Sequence, residues 1–492
     1  MRKLLYIILF SIVILTVSCR KKQVFSDNPS MNISLSTDTI AFDTVFTSIG
    51  SSTRVLMIFN NNSENLKINS IRLAKGSNSP YSINVDGQSG TVFNDKEIYA
   101  KDSLYVFIKV TINPNDENNP FFVEDRLIFN TNGNEKVVHL TAYGQNANYI
   151  IGRIGIFPDQ YGHYTNYYYP LTNDSVKDVH WTADKPYVIY NVALIDSDGT
   201  LTIEPGTHVY FHNGSGLWAW SEGQLIVNGT AENPVVFQGD RLESFYDDQP
   251  GQWDRIWLME AREGHGHIID HAIIRNGFIG LQIQRMLKDN MEATYITNSI
   301  IENHTGMGLY ANCYSISMSN SLINNCGNYC VALTGGGDYL FTHNTIANYW
   351  TDSPRQTEAL FFNNLYTNPT DGLTYHVPFE CNIINSIVYG SQNNEFGTDF
   401  YPAPDTLYKF KNSLIRSRRP QLEQLYESCV FNEDPKFKNT AEFDFHLDTL
   451  SAAIGIANPC YSIGNLRFDL DGVDRGSRPD AGAYQYVYIP NE

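Results

Sequence analysis

A five-residue phrase recurs through the second half of this 492-residue chain. It reads "DHAII" (270–274), "TNSII" (297–301), "SNSLI" (319–323), "HNTIA" (343–347), "INSIV" (384–388) and "KNSLI" (411–415). Aligned on the small third residue, the copies fall at Ala272, Ser299, Ser321, Thr345, Ser386 and Ser413, separated by 27, 22, 24, 41 and 27 residues. Asparagine precedes that residue in five copies (Asn298, Asn320, Asn344, Asn385, Asn412), and His271 takes its place in the first. A unit this short cannot bury its own apolar face, so neighbouring units must stack. The phrases show no helical periodicity, and the leucine pattern of leucine-rich repeats is absent. Coils of three short strands, in register about 4.8 Å apart, fit the spacing. In such a stack each asparagine amide can bond the one above and below it, a structural ladder. "LTIEPGTHVYF" (201–211) and "LIVNGTAENPVVF" (225–237) extend the series. The reading is an all-β chain with a right-handed parallel β-helix over 181–486, of about ten coils.

Upstream the rhythm differs. From 31 to 146, apolar residues alternate in short runs such as "TRVLMIF" and "SLYVFIKVTI", with Asn/Gly/Ser clusters between them. "NTNGNE" (130–135) is a hairpin turn, since Asn and Gly tolerate positive φ. About seven strands in this length predict an immunoglobulin-like β-sandwich. Residues 147–180, with "YGHYTNYYYPL", read as a tyrosine-rich connector whose rings pack between domains.

Residues 1–19 read as a signal peptide. Arg2 and Lys3 precede an apolar run from Leu4 to Val17. "LTVSC" resembles a bacterial lipobox, which implies lipidation at Cys19, a polar tether over 20–30 and a membrane anchor. Removing 1–19 takes two of the 34 basic residues and none of the 53 acidic ones. So acidic a chain is a poor partner for nucleic acid. The six later cysteines match no zinc or redox spacing, and no cofactor is expected.

The stretch "LTIEPGT…GQLIVNGTAENPVVFQGDRLE…PGQWDRIWL" resembles right-handed parallel β-helix lipoproteins of Bacteroidetes. "IAFDTVFTSIGSST…NVDG…LTAYGQNA" is similar to the sandwich that precedes the helix in them. The ending "FDFHLDTL…DLDGVDRGSRPDAGAYQY" resembles the coils that close such solenoids, with Gln485 where the family phrase ends in an acid. The resemblance implies an outer-membrane lipoprotein, on the periplasmic or surface face, with a polysaccharide or an outer-membrane protein as partner. It carries no established reaction.

Two stretches hold candidate chemistry. In "REGHGHIIDHAII" (262–274), Gly264-His265-Gly266 follows Asp247-Asp248 by about one coil, and Arg285 and Lys288 come after. That order resembles the motifs of polygalacturonases, pectin-hydrolysing glycosidases. Such a reaction needs two carboxyls across the scissile bond. Here the two cations, three apart, would face opposite sides of a strand. His265 and His267, with Asp270 or His271, form an alternative metal set. "DLDGVDRGSRPD" (469–480) has the look of a calcium loop at Asp469 and Asp471 but lacks the closing glutamate. The alternative there is a solenoid cap in which Arg475 or Arg478 pairs with Asp480. Two functions follow. The favoured one is a non-catalytic glycan-binding or protein-interaction β-helix of the cell envelope. The other is a polysaccharide lyase or glycoside hydrolase, acting on a cell-surface or dietary polysaccharide beside Asp247, Asp248, His265 and Arg285. An enzyme requires carboxylates and cations converging on one face, whereas a binder requires exposed aromatics.

Overall fold

The computed structural model describes residues 23–114, 120–158, 164–168, 170–173, 175–286, 292–368, 372–418 and 424–488. The signal segment, Cys19 and Lys288 lie outside them. The chain is all-β and divides into two compact units, 1–146 and 147–492.

The first unit is a two-sheet sandwich. One sheet orders Phe25–Ser26, Asn65–Leu73, Phe121–Thr131, Asn134–Gln145 and Thr39–Phe46, with Val92–Ile98 also on Asn65–Leu73. The other orders Ser34–Leu35, Arg54–Phe59, Ser103–Val110, Tyr81–Val85 and Gln88–Gly90. Leu56, Ile58, Val106 and Ile108 from the second sheet share a fully buried core with Leu66, Ile68, Leu127 and Leu140 from the first. The hairpin turn forms as expected. Thr131 pairs with Asn134 across Asn132 (φ 51°) and Gly133 (φ 80°). There are more strands than the seven expected, because two- and three-residue edge strands are too short to show alternation.

The second unit starts earlier than expected. Residues 147–180 are not a connector. Asn148–Ile151 pairs with Tyr187–Tyr190, Ile154–Pro158 with Tyr164–Tyr168, and Asp178–Trp181 with Thr200–Ile203. From there the chain cycles through three tracks of parallel strands. One circuit runs Ile268–Asp270 (first track), Ala272–Arg275 (second) and Gly277–Gln284 (third). The next runs Thr294–Thr297, Ile300–His304 and then Met307 onward. Among the described residues the second track is an 11-stranded sheet. The first and third merge in a 16-stranded sheet, because Met307–Ser319 and Val331–Thr342 run on from third track to first. Their shared bend falls where Cys313 adopts φ 52°.

In-register stacking makes the core. Ile203, Val227, Ile269, Ile296, Met318, Phe341, Ile383 and Phe410 each pair with the next, and all have zero exposure. Each such side chain contributes roughly 1.5–3 kcal/mol by burial.

The corner between first and second tracks explains the recurring asparagine. His271, Asn298, Asn320, His343, Asn385 and Asn412 all have φ between 47° and 56°. Asparagine tolerates that left-handed backbone better than most residues. Its amide ladder is only partial. Asn298 donates to Asp270 (2.9 Å) and Asn320 to Asn298 (2.8 Å), and then the Arg475 guanidinium takes the Asn320 oxygen at 2.8 Å. Asn344 is not a member of the amide row. Leu322 pairs with Thr345, so His343 fills the corner and Asn344 occupies the next position. The unbroken ladder runs through that next position. The backbone N–H of Ala272 donates to Ser299 Oγ, Ser299 to Ser321, Ser321 to Asn344 Oδ1, Asn344 to Ser386 and Ser386 to Ser413, at 3.0–3.1 Å.

The circuits do not reach 486. The last paired second-track strand is Val430–Phe431, and the chain then folds back over the outside of that track. Leu447, Ala453 and Ala481 pack on Ile387 and Leu414, while Phe445, Ala483 and Tyr484 pack on Leu322 and Ala347. A Cβ on Gly482 would meet Thr345 Oγ1 at 2.7 Å, so "AGA" is small because the crossing is close. Among the described residues neither Arg475 nor Arg478 makes an ion pair with the Asp480 carboxylate, although both positive charges act on it and Arg475 donates to the Asp480 carbonyl at 3.4 Å. That carboxylate accepts the N–H groups of Gly455 (2.6 Å) and Tyr486 (2.7 Å). Arg475, 1% exposed, bonds Asn320 Oδ1 and the Ala483 carbonyl.

Candidate functional site: an aromatic face on the third track

The sequence candidates do not converge. Asp247 and Asp248 lie between Val235–Gly239 and Trp253–Leu258, at the corner from second track to third. His265 lies between Trp253–Leu258 and Ile268–Asp270, at the corner from third track to first, and Arg285 leaves its strand there too. Asp247 and Asp248 act through their carbonyls. Arg275 (3.0 Å) and Asn276 (2.7 Å) donate to the Asp247 carbonyl, and Asn303 (2.8 Å) donates to that of Asp248. The Arg285 guanidinium stacks 4.9 Å over the Tyr366 ring. His265 is exposed on its turn.

The metal sets do not assemble either. His267 is fully buried. Its Nδ1 accepts the Leu225 N–H (3.1 Å) and its Nε2 donates to the Met259 carbonyl (2.8 Å). Burial pushes its pKa down to about 4, which keeps it neutral. His271 faces Asp270 at 3.0 Å, and Asp270 also accepts from Thr297 and Asn298. Both oxygens of Asp469 are taken by backbone N–H groups, those of Asp471, Val473 and Gln485. Asp471 faces His446 at 2.6 Å. Among the described residues no three His, Cys, Asp or Glu side chains group as a metal site.

What the structure does build is a face on the third track. Inward Leu217, Ile256, Leu281, Leu309 and Leu360 alternate with outward neighbours, as strand geometry requires. The outward residues stack in register as Trp218, Trp257, Gln282, Tyr310, Ala332 and Phe361; the four aromatic residues are partly exposed, whereas Gln282 and Ala332 are buried between them. At the strand spacing this row spans about 24 Å. Trp218 and Trp257 meet edge to face at 4.9 Å, and Tyr168 lies 5.1 Å from Trp218. Tyr329 lies 5.1 Å from Phe361 at the other end. Polar groups line one side. Asn312 donates to the Tyr310 hydroxyl (3.3 Å) and to Thr334 (3.0 Å), and Gln282 donates to Gln284 (2.6 Å). Arg255 bonds the Gln282 amide oxygen and chelates Asp254 at 2.9–3.0 Å. Trp220 and Phe278 stand exposed beside the row. Sequence reading missed this face, although "GLWAW", "RIWL", "LQIQ" and "GLYA" show the alternation that makes it.

No protein-family model matches the chain, and no curated protein matches it. Among solved structures it is similar to the E. coli chaperone DraB, at 9% identity over 23% of this chain and 54% of that one, TM-score 0.17. It thus spans about half the length of that chaperone. It is also similar to the Dettilon tailspike protein, at 11% identity over 54% of this chain and 58% of that one, TM-score 0.22. A third likeness is to the catalytic unit of a thermostable GH87 alpha-1,3-glucanase from Streptomyces thermodiastaticus strain HF3-3. There the identity is 8%, over 77% of this chain and 88% of that one, with TM-score 0.21. Overlaps this slight transfer neither fold nor function.

Proposed function

We propose that this chain is an exported, lipid-anchored envelope protein whose second unit is a right-handed parallel β-helix that holds an extended polysaccharide without cleaving it. The first unit is read as an immunoglobulin-like module between anchor and helix. One observation carries the glycan reading: the in-register row of partly exposed Trp218, Trp257, Tyr310 and Phe361, with Gln282 and Ala332 between them and amides alongside. Apolar ring faces with planar hydrogen-bonding groups beside them suit sugar rings, and a straight row suits a polymer. Binding rather than cleavage is favoured because Arg255, the cation beside the row, is already held by Asp254, and because Asp247 and Asp248 lie at another corner from His265. The lipid anchor rests on the lipobox resemblance at Cys19, and the outer-membrane location and an outer-membrane protein partner on the resemblance to β-helix lipoproteins; no metal or other cofactor is proposed.

The test is affinity electrophoresis across a panel of polysaccharides, paired with assays for new reducing ends and for unsaturated products. A retained polysaccharide should lose at least tenfold in affinity with Trp218→Ala/Trp257→Ala, and no product should form. Product release by the wild type would favour a lyase or hydrolase instead. The anchor is tested separately. Labelled palmitate should enter the wild type and not Cys19→Ser; equal labelling of both would remove the anchor.

A further inference from the structure

A second recess lies at the corner where the second track passes into the third. It is a cavity of about 390 Å³ lined by Asp248, Asn303, Asn325, Tyr349, Asp352 and Phe443, among others. That volume falls in the range of small-molecule sites. It is built by a second asparagine row. Asn276, Asn303 and Asn325 take φ of 65°, 60° and 47° at this corner, spaced 27 and 22 residues apart like the main repeat. Asn303 donates to Asn276 Oδ1 (2.8 Å) and to the Asp248 carbonyl, which fixes the loop carrying Asp248 against the coil.

The polar inventory of this recess is specific. Asn303 and Asn325 are 4% and 5% exposed, yet each leaves one amide atom unused among the described residues. Both Asn303 N–H groups are donated, so its Oδ1 remains as an acceptor. Asn325 Oδ1 takes the Tyr349 N–H at 3.1 Å, so its Nδ2 remains as a donor. The Asp248 and Asp352 carboxylates add acceptors on exposed loops and make no ion pair among the described residues. No lysine or arginine is among the described lining residues. Tyr349 and Phe443 supply aromatic wall, Phe443 from a left-handed backbone (φ 58°) and packed on the cluster of Phe445 and Tyr484.

We propose that this corner cavity binds a single uncharged sugar ring. Sugar hydroxyls are donors and acceptors at once, which matches a lining of two carboxylates, an amide oxygen, an amide N–H and the hydroxyls of Thr351, Ser391 and Thr440. Uronic acids are disfavoured, because their carboxylate would meet Asp248 and Asp352 while no lysine or arginine lines the recess; Arg355, which reaches the lining residue Ser391, is already paired with Glu395. The site is separate from the third-track row and does not depend on it.

Saturation-transfer NMR on the full chain, with glucose, galactose, mannose, fucose and glucuronate as probes, tests the proposal. At least one neutral sugar should bind saturably, and glucuronate should bind at least tenfold more weakly. Asp352→Asn and Asp248→Asn change exposed loop side chains and should weaken the neutral sugar at least tenfold. Trp218→Ala/Trp257→Ala should leave it unchanged, which separates this site from the polysaccharide row. Absence of binding by every neutral sugar, equal binding of glucuronate, or indifference to both carboxylate variants would each overturn the proposal.

Discussion

His267 and His304 are the same device used twice. Each accepts a backbone N–H at Nδ1, from Leu225 or Gly277 at 3.1 Å, and donates Nε2–H to a carbonyl, of Met259 or Ile274. Each therefore satisfies two backbone groups where the chain turns inside the core. Only the neutral ring can do both, and burial pushes both pKa values down to about 4 from an ordinary 6.5. A histidine whose folded pKa lies below its unfolded one stabilises the fold fully above pH 6.5. That stability is lost as pH falls toward 4. By pH 4.5 each histidine should have cost about 2–3 kcal/mol. Urea midpoints of the wild type at pH 7 and pH 4.5 should show this loss, and His304→Gln should recover about half of the difference. An equal pH dependence in the variant would assign the effect to carboxylates instead.

At the level of elements, the serine row links the circuits more continuously than the amides do. Ser321 Oγ receives the Ser299 N–H at 3.1 Å with both residues fully buried. Ser321→Ala strands that N–H, a loss of about 1–3 kcal/mol. A lowered thermal midpoint with unchanged circular dichroism is expected, and an unchanged midpoint would show the bond to be dispensable. The long excursion after Thr345–Asn348 is tied down differently. Arg355 and Glu395, both buried, form a two-pronged pair at 2.7 and 2.8 Å, and Glu395 also takes the N–H groups of Ala359 and Gln392. Such a pair fixes loop geometry more than it adds stability, since both charges are desolvated.

Across the whole molecule, what could be read from sequence was what repeats chemically. The corner phrase keeps one residue type because one backbone angle recurs, so the stacking and its spacing were legible. Its register slipped at "HNTIA", where histidine takes the corner and the neighbouring asparagine mimics the repeat. The third-track face was hidden for the opposite reason. Trp218, Trp257, Gln282, Tyr310, Ala332 and Phe361 share a position and no chemical type. The fold-back of the C-terminal segment depends on contacts such as Ala483 N–H to Thr345 Oγ1 (3.0 Å), 138 residues apart, which no local pattern encodes. Asp247, Asp248, His265 and Arg285 looked like a site because adjacent coils are close in sequence, but consecutive corners of one coil face different ways. The central claim, a polysaccharide lying along the third track, is tested most directly by fluorine NMR of protein labelled with 5-fluorotryptophan. Of the six tryptophans, Trp218 and Trp257 lie in the row, while Trp181 and Trp253 are buried in the core. A polysaccharide that binds should shift Trp218 and Trp257 and leave the buried Trp181 and Trp253 unmoved; binding that leaves Trp218 and Trp257 unshifted would contradict the account.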